Sequence, residues 1–190
     1  LGKEKNVKAI VLRADSPGGD ALAADLIARQ MKETSEDKPV IVTQGDVAGS
    51  GGYWISMYGD PIYSSPFTIT GSIGVIGGWI WNEGLSDKTG LTSDHVQVGE
   101  HADLGFGITI PLLGAQIPDR NLDTLEHARM ERSIRGLYSE FTQKVADGRQ
   151  LDQAFVDSVG QGRIWAGRRG CCAASCGAGL EKRQVAFVEL

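Results

Sequence analysis

The stretch VIVTQGDVAGSGGY, residues 40–53, joins an apolar run to a cluster of glycines that encloses one serine. Val40 to Gln44 predicts a buried strand, and Tyr53 to Tyr58 predicts the first turns of a helix. The small residues between them permit a sharp turn from strand to helix that exposes the hydroxyl of Ser50, as in a nucleophile elbow. The plainer interpretation is that Ser50 caps the helix within a glycine-rich turn.

A second apolar run, Val7 to Arg13, lies upstream and also predicts a buried strand. Between the two runs, Asp20 can cap a helix whose apolar positions recur at helical spacing. Those positions are Leu22, Leu26, Ile27 and Met31. Strand, helix and strand in this order form a βαβ unit, which implies a parallel pair joined by a right-handed crossover.

The turn SPGG, residues 16–19, follows the first strand. If the two strands are neighbours in one sheet, this turn and Ser50 meet at the same edge. The backbone N–H group of Gly18 or Gly19, together with that of Gly51, then forms an oxyanion hole, because glycine leaves its amide unshielded. The two motifs together therefore predict nucleophilic catalysis more specifically than either motif alone.

The rest of the chain predicts short elements around one long helix. Further strands are predicted at Pro61–Ser64, Ile73–Ile76 and Thr92–Val98. Helices are predicted over Asn82–Thr89, Pro118–Asp147 and Asp152–Val159, and residues 99–117 are predicted to be loop-like.

Composition excludes several classes of protein. The chain has 190 residues, a formal net charge of −5 and 41% hydrophobic residues, which is typical of one globular domain. It lacks the basic excess of a nucleic-acid-binding protein, and no apolar run reaches the roughly 18 residues of a membrane span. Glycine occurs 26 times, with clusters at residues 45–52 and 71–78, where a backbone can approach a ligand closely.

Three motifs carry a resemblance to a known family. DSPGG at 15–19, AGSGGYW at 48–54 and TGSIG at 70–74 closely resemble, in order and spacing, the signal peptide peptidase A family, peptidase family S49. The resemblance runs from Lys8 to Trp165. It implies the ClpP/crotonase-like α/β fold, with stacked βαβ units and outer helices, and serine endopeptidase cleavage of apolar peptides such as released signal peptides.

The resemblance also implies roles for individual residues. It makes Ser50 the nucleophile, and it gives the oxyanion hole to the amides of Gly19 and Gly51. The general base in this family is a lysine, which Ser72 helps to hold in place. A lysine acts as a base only where burial and its neighbours lower its pKa enough to leave it neutral. The resemblance implies no metal and no cofactor.

The catalytic lysine is where this sequence departs from the family pattern. In single-domain members the lysine follows the strand predicted at Thr92–Val98, and matching GEHADL at 99–104 to that stretch puts Ala102 in its place. Long members are tandem duplications in which the N-terminal half carries the lysine and the C-terminal half the serine. The sequence therefore resembles the serine-bearing half of a long-type member, and we expect the lysine to come from chain absent here.

The same comparison suggests two boundaries. Residues 1–167 are expected to form the peptidase domain, truncated at its N-terminus because family domains carry another strand and helix upstream. Residues 168–190 form an aberrant segment, for which a reading-frame change between Arg168 and Ala178 is one hypothesis. The three cysteines, Cys171, Cys172 and Cys176, all lie there, and no fourth ligand is available for a zinc site.

Other candidate residues have plainer interpretations. Lys88 is expected to be a solvated helix residue, because lysine is seldom buried. His95, His101 and His127 invite a serine–histidine–aspartate triad with Asp94 or Asp103, but His127 lies among charged residues of the long helix. The apolar loop Gly105–Leu113 is expected to be a subunit contact, because the family assembles into rings or domes.

Two other functions remain open at this stage. Without a lysine, the chain can be a catalytically incomplete scaffold or peptide-binding domain of the same fold. A crotonase-type enzyme that acts on acyl thioesters shares the oxyanion-hole geometry. The resemblance implies a peptide substrate, a homo-oligomer, no nucleic acid, and an outward-facing soluble domain at the bacterial cell membrane, with membrane association only through regions absent here.

Overall fold

The computed structural model describes residues 2–82, 84–92, 94–110 and 115–169. These residues form two compact units, the first drawn from residues 1–75 and 135–190 and the second from 76–134. The aberrant segment predicted from residue 168 lies outside the described residues except for Arg168 and Arg169.

In chain order, the strands are β1 (Ile10–Ser16), β2 (Val40–Gly49), β3 (Ile62–Tyr63), β4 (Ile69–Gly71), β5 (Gly107–Ile110), β6 (Ala115–Pro118) and β7 (Ile164–Ala166). The helices are α1 (Ala21–Asp37), α2 (Gly51–Trp54), α3 (Leu85–Thr89), α4 (Thr124–Arg149) and α5 (Gln153–Val159).

The described strands of the first unit form one sheet in the order β1-β2-β4-β7, with β3 also paired to β2. The predicted βαβ unit is confirmed, because β1 and β2 pair in parallel with α1 between them in the chain. Pairing begins where the N–H of Ile10 donates to the carbonyl of Pro39, which is later than the predicted start at Val7. β2 is longer than predicted and reaches Gly49, directly before Ser50.

Helix α1 begins as predicted but buries a different face. The carboxylate of Asp20 caps it by accepting a hydrogen bond from the N–H of Ala23 at 2.7 Å. Its buried residues are Ala24, Ala28 and Met31, whereas Leu22, Leu26 and Ile27 are 69%, 60% and 46% exposed. The predicted helix is confirmed, but of the four apolar positions that marked it only Met31 lies in its buried face. The alanine face is narrow enough for a close approach of helices.

Helix α2 is anchored by the main core of the first unit. Trp54 is 3% exposed and stacks on Phe141 of α4, with 4.2 Å between the ring centroids. Met57, Val145 and Val156 are buried in the same cluster. Aromatic stacking adds about 0.5–1.5 kcal/mol beyond the area buried, so the last residue of α2 is held firmly.

Two of the predicted short strands do not form in the described residues. No strand forms at Ile73–Ile76, because Ser72 adopts a φ of 49° and ends β4 at Gly71. The described residues of Thr92–Val98 form no strand either, and Val96 and Val98 lie almost fully in solvent with no core to face.

The second unit contains a hairpin in place of part of the predicted loop. β5 and β6 pair antiparallel, and the N–H of Asn82 donates to the carbonyl of Pro118 at 2.7 Å. Because residues up to Pro118 belong to β6, α4 begins at Thr124, later than predicted. Likewise, α3 begins at Leu85 because the side chain of Asn82 accepts from the N–H of Ser86 instead of continuing the helix.

Two further predictions concern the short helix α5 and the apolar loop Gly105–Leu113. The carboxylate of Asp152 caps α5 by accepting from the N–H of Ala154 at 2.8 Å, which confirms the short helix. Part of the apolar loop Gly105–Leu113 lies outside the described residues, and Phe106 stacks on His95. Among the helices in the described ranges, none combines the length and apolar character needed to cross a bilayer.

Candidate active site

Ser50 lies in the turn between β2 and α2 with a backbone conformation that few side-chain-bearing residues adopt. Its φ is 50° and its ψ is −118°. Such a conformation costs on the order of 1–3 kcal/mol and persists only where surrounding contacts fix it. The geometry is that of a nucleophile elbow, which aims the side chain away from the turn.

The interpretation of Ser50 as a helix-capping side chain is wrong. Ser50 occupies the N-cap position of α2, but its hydroxyl makes no capping hydrogen bond to the described start of the helix. The backbone fixes the residue instead: its N–H donates to the carbonyl of Gly71 at 2.9 Å, and its carbonyl accepts from the N–H of Trp54 at 2.9 Å. The half-buried hydroxyl is therefore available for chemistry.

The SPGG turn contacts Ser50, as predicted from the parallel pairing. Ser16 lies opposite Ala48 in the register of β1 and β2, so the residues after each strand meet at one edge of the sheet. Gly18 has a φ of 119°, and a Cβ added to it would lie 2.7 Å from the Cβ of Ser50 and 3.0 Å from the amide nitrogen of Gly51. Only glycine fits at this contact.

Two backbone amides beside Ser50 have no hydrogen-bond acceptor in the part of the chain that the structure describes. Within the described residues, neither the N–H of Gly19 nor that of Gly51 donates a hydrogen bond, whereas the N–H of Gly18 donates to the Oγ of Ser16 at 3.2 Å. The nitrogen of Gly19 lies 3.3 Å from the position that a Cβ on Gly51 would take. Two free donors lie side by side, an arrangement that can bind a developing oxyanion.

Ser72 lies at the end of β4 in the same way that Ser50 lies at the end of β2. Gly49 pairs with Gly71 in the parallel register, so the two serines follow neighbouring strands that lie about 4.8 Å apart. Ser72 also has a positive φ, and its Cβ is 3.5 Å from the position that a Cβ on Gly49 would take. The structure therefore brings all four predicted site residues to one edge of the sheet.

Three supporting residues were missed by reasoning from the sequence. The side chain of Ser16 forms a hydrogen bond with the backbone of Gly18. The N–H of Ser72 donates to the carbonyl of Arg163 at 2.8 Å, and the N–H of Gly162 donates to the carbonyl of Ile73 at 2.8 Å. Arg163 and Gly162 act through their backbone, which leaves no signature in the sequence. For Ser16 a signal exists, since serine two residues before a glycine often bonds to the backbone.

Lys144 packs against the core of the first unit and is engaged as a cation. Its Nζ bonds to the carboxylates of Asp25 and Glu140 and lies 5.5 Å from the centre of the Trp54 ring. Burial alone would lower the pKa of Lys144, but the two carboxylates outweigh it and raise that pKa above its usual value. In the described part of this unit, no lysine hydrogen bonds to Ser50 or Ser72.

The second unit contains the two other positions considered for a base. Ala102, at the matched lysine position, is exposed, and Lys88 is exposed on α3 as predicted. Both carboxylate oxygens of Asp103 accept hydrogen bonds from the guanidinium of Arg120, at 2.5 and 2.6 Å. This pairing argues against Asp103 as the acid of a serine–histidine–aspartate triad.

One group of side chains in the second unit has the donors of a metal site. Within the described residues, one donor atom from each of His101, Asp123 and Glu126 lies within 4.8 Å of the others. Arg120 already bonds to Glu126 at 2.7 Å and supplies the positive charge. Arg120, the N–H of Asp123 and the side chain of His101 lower the pKa of Glu126 to about 2. The group is satisfied as an ion-pair network.

Comparisons with known proteins agree with this geometry. A sequence model described as peptidase family S49 matches residues 32–174. The serine protease SPPA of Arabidopsis thaliana chloroplasts is 38% identical over 166 residues, which are 87% of this chain and 23% of that protein. Protease 4 of Haemophilus influenzae is 36% identical over 165 residues, which are 86% of this chain and 25% of that protein.

A solved structure shares the fold. The chain aligns with a membrane-bound stomatin-specific protease, solved as a point mutant with a substrate peptide, at a TM-score of 0.52 and 16% identity. The alignment covers 89% of this chain and 59% of that chain. This likeness confirms the predicted ClpP/crotonase-like α/β fold.

The chain spans about a quarter of the length of the Arabidopsis and Haemophilus relatives. The match to the family model extends over most of the chain, and the Arabidopsis and Haemophilus proteases match 87% and 86% of it. The chain therefore belongs to peptidase family S49.

Proposed function

We propose that this chain is the serine-bearing part of a serine endopeptidase that cleaves apolar peptides with a Ser/Lys dyad. The observation that carries the proposal is the strained Ser50 turn beside the two free amides of Gly19 and Gly51. A hydrolase with a serine nucleophile needs this combination, because the nucleophile and the oxyanion donors must address the same carbonyl group.

In the first half of the reaction, the Oγ of Ser50 attacks the carbonyl carbon of the scissile peptide bond. Its proton passes to the neutral amine of the lysine, and the π electrons of the carbonyl move to its oxygen. The N–H groups of Gly19 and Gly51 donate to that oxyanion. One such donor is worth about 2.7–4 kcal/mol in the barrier.

The second half restores the serine. The tetrahedral intermediate collapses, the C–N bond breaks, and the leaving nitrogen takes the proton from the lysine ammonium. Water then attacks the carbonyl carbon of the resulting ester and gives one proton to the lysine. The bond from that carbon to the Oγ of Ser50 breaks, the lysine ammonium returns the proton to the Oγ, and the carboxylic acid product is released. Ser72, which follows β4 beside the turn of Ser50, orients the lysine amine through both halves.

We assign the lysine to chain outside these 190 residues. Support comes from Ala102 at the matched position and from Lys144, whose ammonium is held by two carboxylates. The Arabidopsis and Haemophilus relatives are about four times longer than the segment that this chain matches. In the same proposal, the substrates are released signal peptides, the complete enzyme is a homo-oligomer, and the domain faces outward at a bacterial cell membrane.

The experiment is covalent labelling of the chain with a fluorophosphonate, measured by intact mass, with and without added ethylamine. Ethylamine replaces the missing lysine amine as a diffusible base. We expect slow labelling that accelerates with the concentration of free ethylamine, and no labelling of Ser50→Ala. Rapid labelling that ignores ethylamine would place a base within the chain. A chain that stays unlabelled at every ethylamine concentration would contradict Ser50 as the nucleophile.

A peptide-binding scaffold of the same fold is the second candidate, because the chain itself offers no free lysine beside Ser50 in the described residues. The same samples separate the two functions. A scaffold binds an apolar peptide equally well as wild type and as Ser50→Ala, and it stays unlabelled in ethylamine.

A further inference from the structure

Ser16 is the last residue of β1, and its side chain turns back onto the loop that follows. Its Oγ accepts a hydrogen bond from the N–H of Gly18 at 3.2 Å. The same hydroxyl donates to the carbonyl oxygen of Gly18 at 3.3 Å. One side chain thus engages both polar backbone groups of the residue that contacts Ser50.

These hydrogen bonds restrain a segment that otherwise has little to hold it. Gly18 and Gly19 have φ angles of 119° and 147°, and a glycine backbone has more conformational freedom than any other. In the described residues, the hydroxyl of Ser16 makes the hydrogen bonds that reach the backbone of residues 17–19.

The direction of one peptide group follows from these contacts. A trans peptide is planar, and its C=O and N–H point in opposite directions. Because the carbonyl of Gly18 is held toward Ser16, the N–H of Gly19 in the same peptide group points away from Ser16. That N–H is one of the two donors without an acceptor beside Ser50.

We propose that Ser16 is a positioning residue of the oxyanion hole, which orients the Gly18–Gly19 peptide so that the N–H of Gly19 addresses the carbonyl attacked by Ser50. The inference rests on the proposed function. It makes the side chain of Ser16 responsible for the fact that the amide of Gly19, and not that of Gly18, donates to the oxyanion. Without the hydroxyl, the N–H of Gly18 is released and the peptide can rotate.

A matched pair of variants separates the hydroxyl from its volume. Ser16→Thr keeps the hydroxyl and Ser16→Val has the same branched shape without it, and both residue types suit the end of a strand. Ser16→Ala repeats the loss without the branch. Ser35→Ala is the distant control, since it removes a hydroxyl bonded to the carbonyl of Lys32 at the end of α1.

The measurement is the rate of fluorophosphonate labelling in ethylamine, together with the thermal unfolding midpoint and the hydrogen-exchange rate of the Gly18 amide. We expect Ser16→Val and Ser16→Ala to label about tenfold more slowly than wild type, as follows from a misplaced oxyanion donor. Ser16→Thr should stay within about threefold of wild type, and Ser35→Ala should match it. The Gly18 amide should exchange faster only in the valine and alanine variants.

The outcomes distinguish this inference from the function on which it rests. If wild type labels in ethylamine and the folded valine and alanine variants label at the same rate, the role of Ser16 is overturned while the proposed function stands. If Ser16→Thr is as slow as Ser16→Val, the branch and not the hydroxyl is responsible, and the inference is again overturned. If wild type does not label in ethylamine, the proposed function and this inference fall together.

Discussion

At the scale of single residues, the site depends on backbone conformations that most side chains avoid. Ser50 and Ser72 both have positive φ angles at the ends of neighbouring strands. The motifs that contain them could be recognised in the sequence, and their meeting could be predicted from the parallel pairing. The bonds from Ser16 to Gly18 and from Ser72 to Arg163 could not, because they depend on how the loops close.

The strain at Ser50 predicts an order of stabilities among its variants. Ser50→Ala keeps a Cβ in the strained conformation, whereas Ser50→Gly removes the steric conflict and both lose the hydroxyl. We expect Ser50→Gly to be more stable than Ser50→Ala by about 1 kcal/mol, since relief of strain exceeds the added freedom of the unfolded chain. Urea unfolding of the two variants measures the difference, and a more stable alanine variant would contradict the strain.

The contact between Gly18 and Ser50 predicts an unequal effect of two neighbouring substitutions. Gly18→Ala places a Cβ 2.7 Å from the Cβ of Ser50, whereas a Cβ on Gly19 meets nothing within 4 Å. Both positions have positive φ, so both variants carry about 1–3 kcal/mol of strain. Gly18→Ala should be the less stable of the two in urea unfolding. Equal stabilities would mean that the loop does not press on Ser50.

At the scale of elements, the βαβ unit followed from apolar runs and the cap at Asp20, and the structure agrees. The buried face of α1 could not be predicted from the sequence, because Leu22 and Leu26 are more hydrophobic than the alanines that the helix buries. The strand expected at Ile73–Ile76 fails for a local reason, the left-handed backbone of Ser72. Periodicity locates elements, but neighbouring elements decide which face is covered.

The packing of α4 on α2 predicts that a substitution in α4 destabilises the fold that positions the site. Phe141 is 1% exposed and stacks on the ring of Trp54. The backbone N–H of Trp54 donates to the carbonyl of Ser50. We expect Phe141→Ala to lose about 3–5 kcal/mol of stability, because a large cavity opens in the core. Chemical unfolding measures the loss. Leu137→Ala on the same helix is the partly exposed control, and a similar loss there would contradict the special place of Phe141.

At the scale of the whole molecule, composition and charge set the class of protein, and the two compact units were not visible in the sequence. The second unit depends on ion pairs that join residues distant in the chain, such as Asp103 with Arg120, and no local pattern marks them. Its hairpin replaced a predicted loop for the same reason, since strand pairing is decided between segments.

The ion-pair network predicts an acid-sensitive second unit. Arg120 and its neighbours lower the pKa of Glu126 to about 2 from an ordinary value of 4.5. The stability from this carboxylate is therefore complete above pH 4.5 and is lost as the pH falls toward 2. In wild type, the protection of the amides of residues 115–134, which is their exchange corrected for the intrinsic rate at each pH, should fall as the pH drops through this window. Glu126→Gln should exchange faster at neutral pH and change less with acid; equal pH profiles would contradict the role of Glu126.

In the proposed reaction, Ser50 and the amides of Gly19 and Gly51 act on one carbonyl group. The most direct measurement is a crystal structure of the chain after fluorophosphonate labelling in ethylamine. We expect phosphorus bonded to the Oγ of Ser50 and the phosphonyl oxygen about 2.7–3.1 Å from the nitrogens of Gly19 and Gly51. A phosphonyl oxygen that points into solvent, or that accepts from Gly18 instead, would contradict it.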